Sequence, residues 1–175
     1  VALISMKLGR IFGLSEDELF DLCSFAVLHD NGLAEEALHS DVELSPDEKC
    51  TIHGLEQYSE HCTYGERNVG GFPFQTGAKN IVQHHHERYD GSGFFGLSGD
   101  DIPMMAQIIS LADTADNLYH FETPTLENRR YIVDFVKRYR GSWYSPELAD
   151  AFLSLTGTPG FWLELQNPFI HRSLE

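Results

Sequence analysis

Apolar residues recur at helical spacing along most of the chain, and no stretch alternates convincingly with period two. The spacing predicts a helix over residues 1–12 that stops at Gly13. Ser15-Glu16-Asp17-Glu18 supplies a cap residue with acids in the first turn. Leu19, Phe20, Leu22, Cys23, Ala26 and Val27 carry that second helix to His29-Asp30, and Asn31-Gly32 ends it. Residues 33–45 read as acidic and irregular. Ser45-Pro46-Asp47-Glu48 then starts a helix that runs towards His61. Gly65, Gly70-Gly71 and Pro73 read as breaks.

Residues 78–87 read as a helix carrying a run of histidines, and Asp90-Gly91-Ser92-Gly93 as a turn. Further helices are expected over 104–118, 126–140 and 146–155. Gly157 to Gly160 breaks the chain before a short turn at Phe161-Trp162-Leu163. The expected fold is an all-α helical bundle, a single domain over 1–155 with a short C-terminal extension, 156–175, packed on it. No repeat or low-complexity linker divides the chain. It opens at Val1 inside an apolar-periodic stretch, so it reads as a fragment whose first helix begins upstream.

Composition narrows the classes. With 42% hydrophobic residues in 175, the chain can bury a core, which excludes a disordered protein. Twelve cations against 27 carboxylates leave a net charge of −15. Such a surface repels phosphate backbones and anionic membranes, so a partner of duplex nucleic acid is not expected. No apolar run reaches a membrane-spanning length. Cys23, Cys50 and Cys62 show no CxxC spacing, which excludes a zinc ribbon and suits a reducing cytoplasm. An anionic substrate would need a local positive charge, and metal ions supply one.

Nine histidines are the compositional outlier. His29-Asp30 closes an apolar helix, where a histidine also serves as a dipole partner. His84-His85-His86-Glu87 precedes Asp90-Gly91. Consecutive helical residues project about 100° apart, so two neighbouring histidines face two adjacent metals more readily than three face one. Asp113 follows an apolar face, one turn before Asp116, and a carboxylate there needs a partner. His61 lies four residues before Gly65, and His53, two turns earlier, competes for the same role. A mixed imidazole and carboxylate set without cysteine suits iron, manganese or zinc. Two such metals suit phosphodiester hydrolysis.

In order, His29-Asp30, His61 with Gly65, the run His85-His86-Glu87-Arg88-Tyr89-Asp90-Gly91-Ser92-Gly93, and Asp113 resemble the HD-GYP subfamily of HD-domain metal-dependent phosphohydrolases. Leu97-Ser98-Gly99-Asp100-Asp101-Ile102-Pro103 and Gly141-Ser142-Trp143-Tyr144-Ser145-Pro146-Glu147-Leu148 extend the resemblance over nearly the whole chain. It implies an HD-domain bundle with two or three divalent metals. Iron or manganese is expected first, with zinc, magnesium or nickel as alternatives. The implied ligands are His29, Asp30, His61, His85, His86 and Asp113, with Asp30 bridging two metals as the catalytic carboxylate. Glu87, Asp90 and Asp116 are the implied supporting residues.

The implied activity is hydrolysis of a cyclic dinucleotide, cyclic di-GMP in the usual case, by a hydroxide bridging the metals. A different nucleotide substrate, or a degenerate signalling module without turnover, are the alternatives. An upstream sensory domain and a homodimer are also implied.

Four departures stand out. Leu33 occupies the place of the family's usual lysine, and Gly93-Phe94-Phe95 replaces Gly-Tyr-Pro. The segment after Asp113, His120-Phe121-Glu122-Thr123-Pro124-Thr125, lacks the usual cation. The family's first metal histidine and an upstream glutamate would precede Val1. Arg88, Arg129 and Arg130 are the candidate phosphate contacts, the last two within a basic cluster completed by Lys137, Arg138 and Arg140.

Overall fold

The computed structural model describes residues 1–39, 59–119 and 125–166. The helix expected from Ser45, His53, the segment 120–124 and the end of the C-terminal extension lie outside them. Eight α-helices occur in the described residues: α1 (Ala2–Ile11), α2 (Glu16–Leu28), α3 (Leu33–His39), α4 (Glu60–Val69), α5 (Met104–Tyr119), α6 (Leu126–Tyr139), α7 (Pro146–Thr156) and α8 (Pro159–Leu165). They contain no strand, only an isolated bridge between Arg140 and Tyr144. No helix among them is long and apolar enough to cross a membrane. The chain is all-α, as its periodicity predicts.

Helix α5 is the central element. Ile108, Ile109, Leu111 and Ala112 on it are fully buried, and α1, α2 and α6 pack around it. Phe161, Trp162 and Leu165 of α8 join the same core, and the Trp162 indole donates to Thr156 O at 2.8 Å. The start of α2 is a capping box: Ser15 Oγ accepts the Glu18 amide, and the Glu18 carboxylate accepts the Ser15 amide at 2.8 Å.

Four expectations are corrected. Residues 159–165 form helix α8 rather than a break followed by a short turn. Residues 33–39 form helix α3 rather than irregular chain. Its local signal is weak, and tertiary partners hold it: Glu36 bonds to His61 and Glu35 pairs with Arg67. Gly65 lies inside α4 instead of breaking it. A Cβ there would sit 2.7 Å from Val82 Cγ1, so glycine admits the neighbouring segment. Residues 78–87 contain consecutive turns at 81–86 and no α-helix. Glu66 of α4 accepts the amides of Asn80, Val82 and Gln83 at 2.6, 3.0 and 3.2 Å. A side-chain carboxylate therefore takes donors that a helix would have directed along its own axis.

A second carboxylate anchors the preceding loop. Asp21, fully buried on α2, accepts the amides of Gln75 and Thr76 at 2.7 and 2.8 Å and the Thr76 hydroxyl at 2.6 Å. Asp21 and Glu66 together fix the segment that presents the histidines.

Candidate metal centre

His29, Asp30, His61, His85, His86 and Asp113 come together although up to 84 residues separate bonded partners. The C-terminus of α2 supplies His29 and Asp30, the first turn of α4 supplies His61, the turns supply His85 and His86, and α5 supplies Asp113. His29, His61, His85 and Asp113 are buried.

Two rings are oriented by backbone carbonyls. His29 Nδ1–H donates to Ala26 O at 3.0 Å, and His85 Nδ1–H to Val82 O at 2.6 Å. Both Nε2 atoms therefore turn inward, the usual support for a metal-binding imidazole. His61 Nδ1 faces Glu36 Oε2 at 3.3 Å, and the same oxygen accepts the His61 amide at 2.9 Å.

Asp30 lies between two groups. Its Oδ2 is 3.1 Å from His29 Nε2, and its Oδ1 is 3.5 Å from His85 Nε2. Asp113 Oδ1 is 3.3 Å from the same His29 nitrogen and accepts from Asn117 at 3.3 Å. His85 and His86 have ring centroids 4.0 Å apart, and His61 lies 5.1 Å from His86.

The protonation states follow. Burial works against a charged His29, but the hydrogen bonds and charges of Asp113 and Asp30 outweigh it and raise the imidazole to about 10. Burial alone would raise Asp30, yet the hydrogen bond from His29 and the nearby His85 hold it well below the usual carboxylate range. Burial, then the neighbouring His85 and His61, pushes His86 down to about 2, so its ring stays neutral.

The residues fit a metal. Asp30 Oδ1, His85 Nε2 and His86 Nε2 are buried without a hydrogen-bond partner, an arrangement that costs free energy unless something else occupies their lone pairs. They converge as two donor groups, His29, Asp30 and Asp113 in one and His61, Cys62, His85 and His86 in the other.

The supporting residues differ in place. Glu87 is buried and accepts the amides of Phe95 and Leu97 at 2.6 and 2.7 Å, which shapes the loop beside the histidines. Asp90 accepts the Ser92 amide at 3.0 Å within the exposed turn. Asp116 points to the α1 side, where its carboxylate lies 3.1 Å from the backbone nitrogen of Val1.

A cavity of about 340 Å³ opens beside the centre, lined by His86, Arg88, Phe94, Ser110, Thr114 and Trp143 among others. That volume is in the range of small-ligand sites. Arg88 stacks on the Trp143 ring, 3.7 Å from its centroid. Arg129 stacks instead on Trp162, and neither it nor Arg130 lines this cavity. Of the remaining cluster, Arg140 pairs with Asp150 and Lys137 with Asp134. Leu33 is buried, whereas Phe94 and Phe95 are over a third exposed.

Sequence reasoning missed Glu36 and Cys62. Glu36 fell in a segment read as irregular. Cys62 adjoins the candidate ligand His61, but a lone cysteine has no ligand spacing to single it out.

The HD domain family model matches residues 1–148. A probable cyclic di-GMP phosphodiesterase of Vibrio cholerae is 36% identical over 147 residues, covering 73% of this chain and 31% of that protein. The cyclic di-GMP phosphodiesterase response regulator RpfG of Xanthomonas campestris is 34% identical over 149 residues, covering 81% and 38%. A solved cyclic GMP-AMP-specific phosphodiesterase of Vibrio cholerae, V-cGAP3, superposes with a TM-score of 0.76 at 20% identity, covering 99% of this chain and 46% of that one, and shares the fold. The chain thus spans about a third of the length of these curated relatives. With the family model spanning its motifs and these relatives matching most of its length, the chain belongs to the HD domain family, in its HD-GYP branch.

Proposed function

We propose that this domain is a metal-dependent phosphodiesterase that opens a cyclic dinucleotide, with His29, Asp30 and Asp113 at one metal position and His61, His85 and His86 at the other. The observation that carries this reading is Asp30, whose two carboxylate oxygens face His29 on one side and His85 on the other. The names of the relatives support the substrate class: cyclic di-GMP first, cyclic GMP-AMP second.

Metals bound there would supply an ionised water at neutral pH and offset phosphate charge. The chain's own groups do the rest. Ala26 O and Val82 O hold two rings with Nε2 inward, and neutral His86 offers a free lone pair. Ser92, Ser110 and Thr114 present hydroxyls to the cavity, Arg88 a cation, and Phe94 an apolar wall for a base. Leu33, buried where the family has lysine, cannot protonate a leaving oxygen. That proton would come from solvent. The imidazole and carboxylate donors suit iron or manganese.

The test is incubation of anaerobically purified, metal-loaded protein with cyclic di-GMP, cyclic GMP-AMP and a panel of linear nucleotides, read by chromatography. Linearisation of a cyclic dinucleotide is expected. Conversion of linear nucleotides alone would replace the substrate, and conversion of none would overturn the activity.

A pH consequence is independent of turnover. At pH 8, below the raised value of about 10, metal-free His29 carries a proton between Asp30 and Asp113. A metal taking Nε2 must expel it, so uptake should release about one proton from this group. Affinity should climb about tenfold per pH unit until pH passes about 10 and then level off. Titration calorimetry in two buffers of different ionisation enthalpy measures the proton count. A buffer-independent enthalpy would remove His29 from the ligand set.

A further inference from the structure

Cys62 has no role in the ligand set given above, yet it lies inside the centre. It is fully buried in the first turn of α4, and its Sγ is 3.3 Å from His61 Nε2. One ligand atom from each of His61, Cys62, His85 and His86 lies within 4.8 Å of the others. For tetrahedral bonds of about 2.0–2.1 Å to nitrogen and 2.3 Å to sulfur, the nitrogen-to-sulfur edge is about 3.5 Å. The His61–Cys62 separation is therefore already that of two ligands on one ion.

A second observation is independent of the cysteine. His85 Nε2 and His86 Nε2 are buried in the same place and have no hydrogen-bond partner. The buried thiol thus lies beside two ring nitrogens, His85 Nε2 and His86 Nε2, that no hydrogen bond occupies. Burial, then the charges of Asp30 and Glu36, hold the Cys62 thiol well above its usual range, so the sulfur loses its proton only to a bound cation.

We propose that the Cys62 thiolate is a fourth protein ligand of the metal position formed by His61, His85 and His86, giving it a three-nitrogen, one-sulfur set that selects zinc over iron or manganese. The proposal rests on the metal-centre reading above. The S–H bond breaks as the sulfur–metal bond forms, and the proton leaves to solvent. Soft thiolate shifts the preference of an otherwise imidazole site towards zinc.

The test uses cobalt(II) as the probe, in the full chain with Cys23→Ser and Cys50→Ser so that Cys62 is the one thiol. Visible ligand-field bands report bound cobalt, and a near-ultraviolet thiolate-to-cobalt charge-transfer band reports sulfur. Both are expected, and adding Cys62→Ser should abolish the second while leaving the first. The zinc dissociation constant should rise at least about tenfold in that variant, the least expected when even a supporting partner is lost. X-ray absorption of the zinc-loaded parent provides a check without the Cys62 variant, with a sulfur shell expected at about 2.3 Å. Ligand-field bands without a charge-transfer band, or a zinc shell of nitrogen and oxygen alone, would overturn the role of Cys62 and leave the metal centre standing. No bound cobalt at all would overturn both.

Discussion

Asp30→Asn is expected to cut cyclic-dinucleotide turnover by the metal-loaded protein about a thousandfold or more. A metal clamp on a phosphoryl group supplies several kcal/mol, and about 4 kcal/mol corresponds to a factor of a thousand in rate. Among the described residues, Asp30 has a carboxylate that faces both donor groups, with Oδ2 3.1 Å from His29 and Oδ1 3.5 Å from His85. The amide keeps the shape but turns two charged oxygens into one neutral acceptor and one donor. The donor end would point N–H groups at a place meant for a cation. Elemental analysis and turnover, measured on the same preparation, separate the two consequences. Loss of metal together with turnover places Asp30 among the ligands. Full metal with lost turnover places it at the reaction instead, and undiminished turnover removes it from the centre.

The centre and the fold were legible to different depths. Local signals survived intact. The Ser15 and Glu18 box is written in four consecutive residues, and α5 in a long apolar run. Helix α3 was hidden because its support is tertiary, through Glu36 to His61 and Glu35 to Arg67. The histidine segment looked helical because its residues tolerate a helix. What decides its turns is Glu66, a carboxylate on another element that captures three amides. The same division holds at the site. The order of His-Asp, His, His-His and Asp motifs could be read by resemblance. The resemblance also implied a bridging Asp30, but residue spacing alone could not, since no spacing rule links His29 to Asp113 across 84 residues. A lone cysteine carries no pattern, so Cys62 became visible only once its neighbours were placed.

A single methyl group at Gly32 is expected to damage both stability and the centre. Gly32 follows the His29-Asp30 pair, where the chain passes under the first turn of α4. A Cβ there would sit 2.0 Å from His61 O and 2.7 Å from Gly65 N. Both atoms are backbone, so no side chain can turn away, and α4 must move as a unit. Overpacking costs about 1–3 kcal/mol where side chains yield, so Gly32→Ala should lie at or above about 3 kcal/mol. For a domain of this size that lowers the melting temperature by about 6–12 °C.

Two other glycines calibrate the effect. Gly65→Ala would press on Val82 Cγ1, a core side-chain atom rather than backbone, and would gain helix propensity, so its cost should be smaller than that at Gly32. Gly71→Ala meets nothing within 4 Å and should be close to neutral. Thermal unfolding of the three variants should rank them Gly32, Gly65, Gly71 in order of loss. The distinguishing readout is metal content at a temperature where Gly32→Ala is still folded. The carbonyl struck by the new methyl belongs to His61 itself, so displacing α4 carries His61 and Cys62 away from His85 and His86. Metal should therefore be lost from that position before the protein unfolds. A Gly32→Ala protein that melts within about 2 °C of the parent and keeps its full metal would show that the approach of these two backbones is not what holds the centre together.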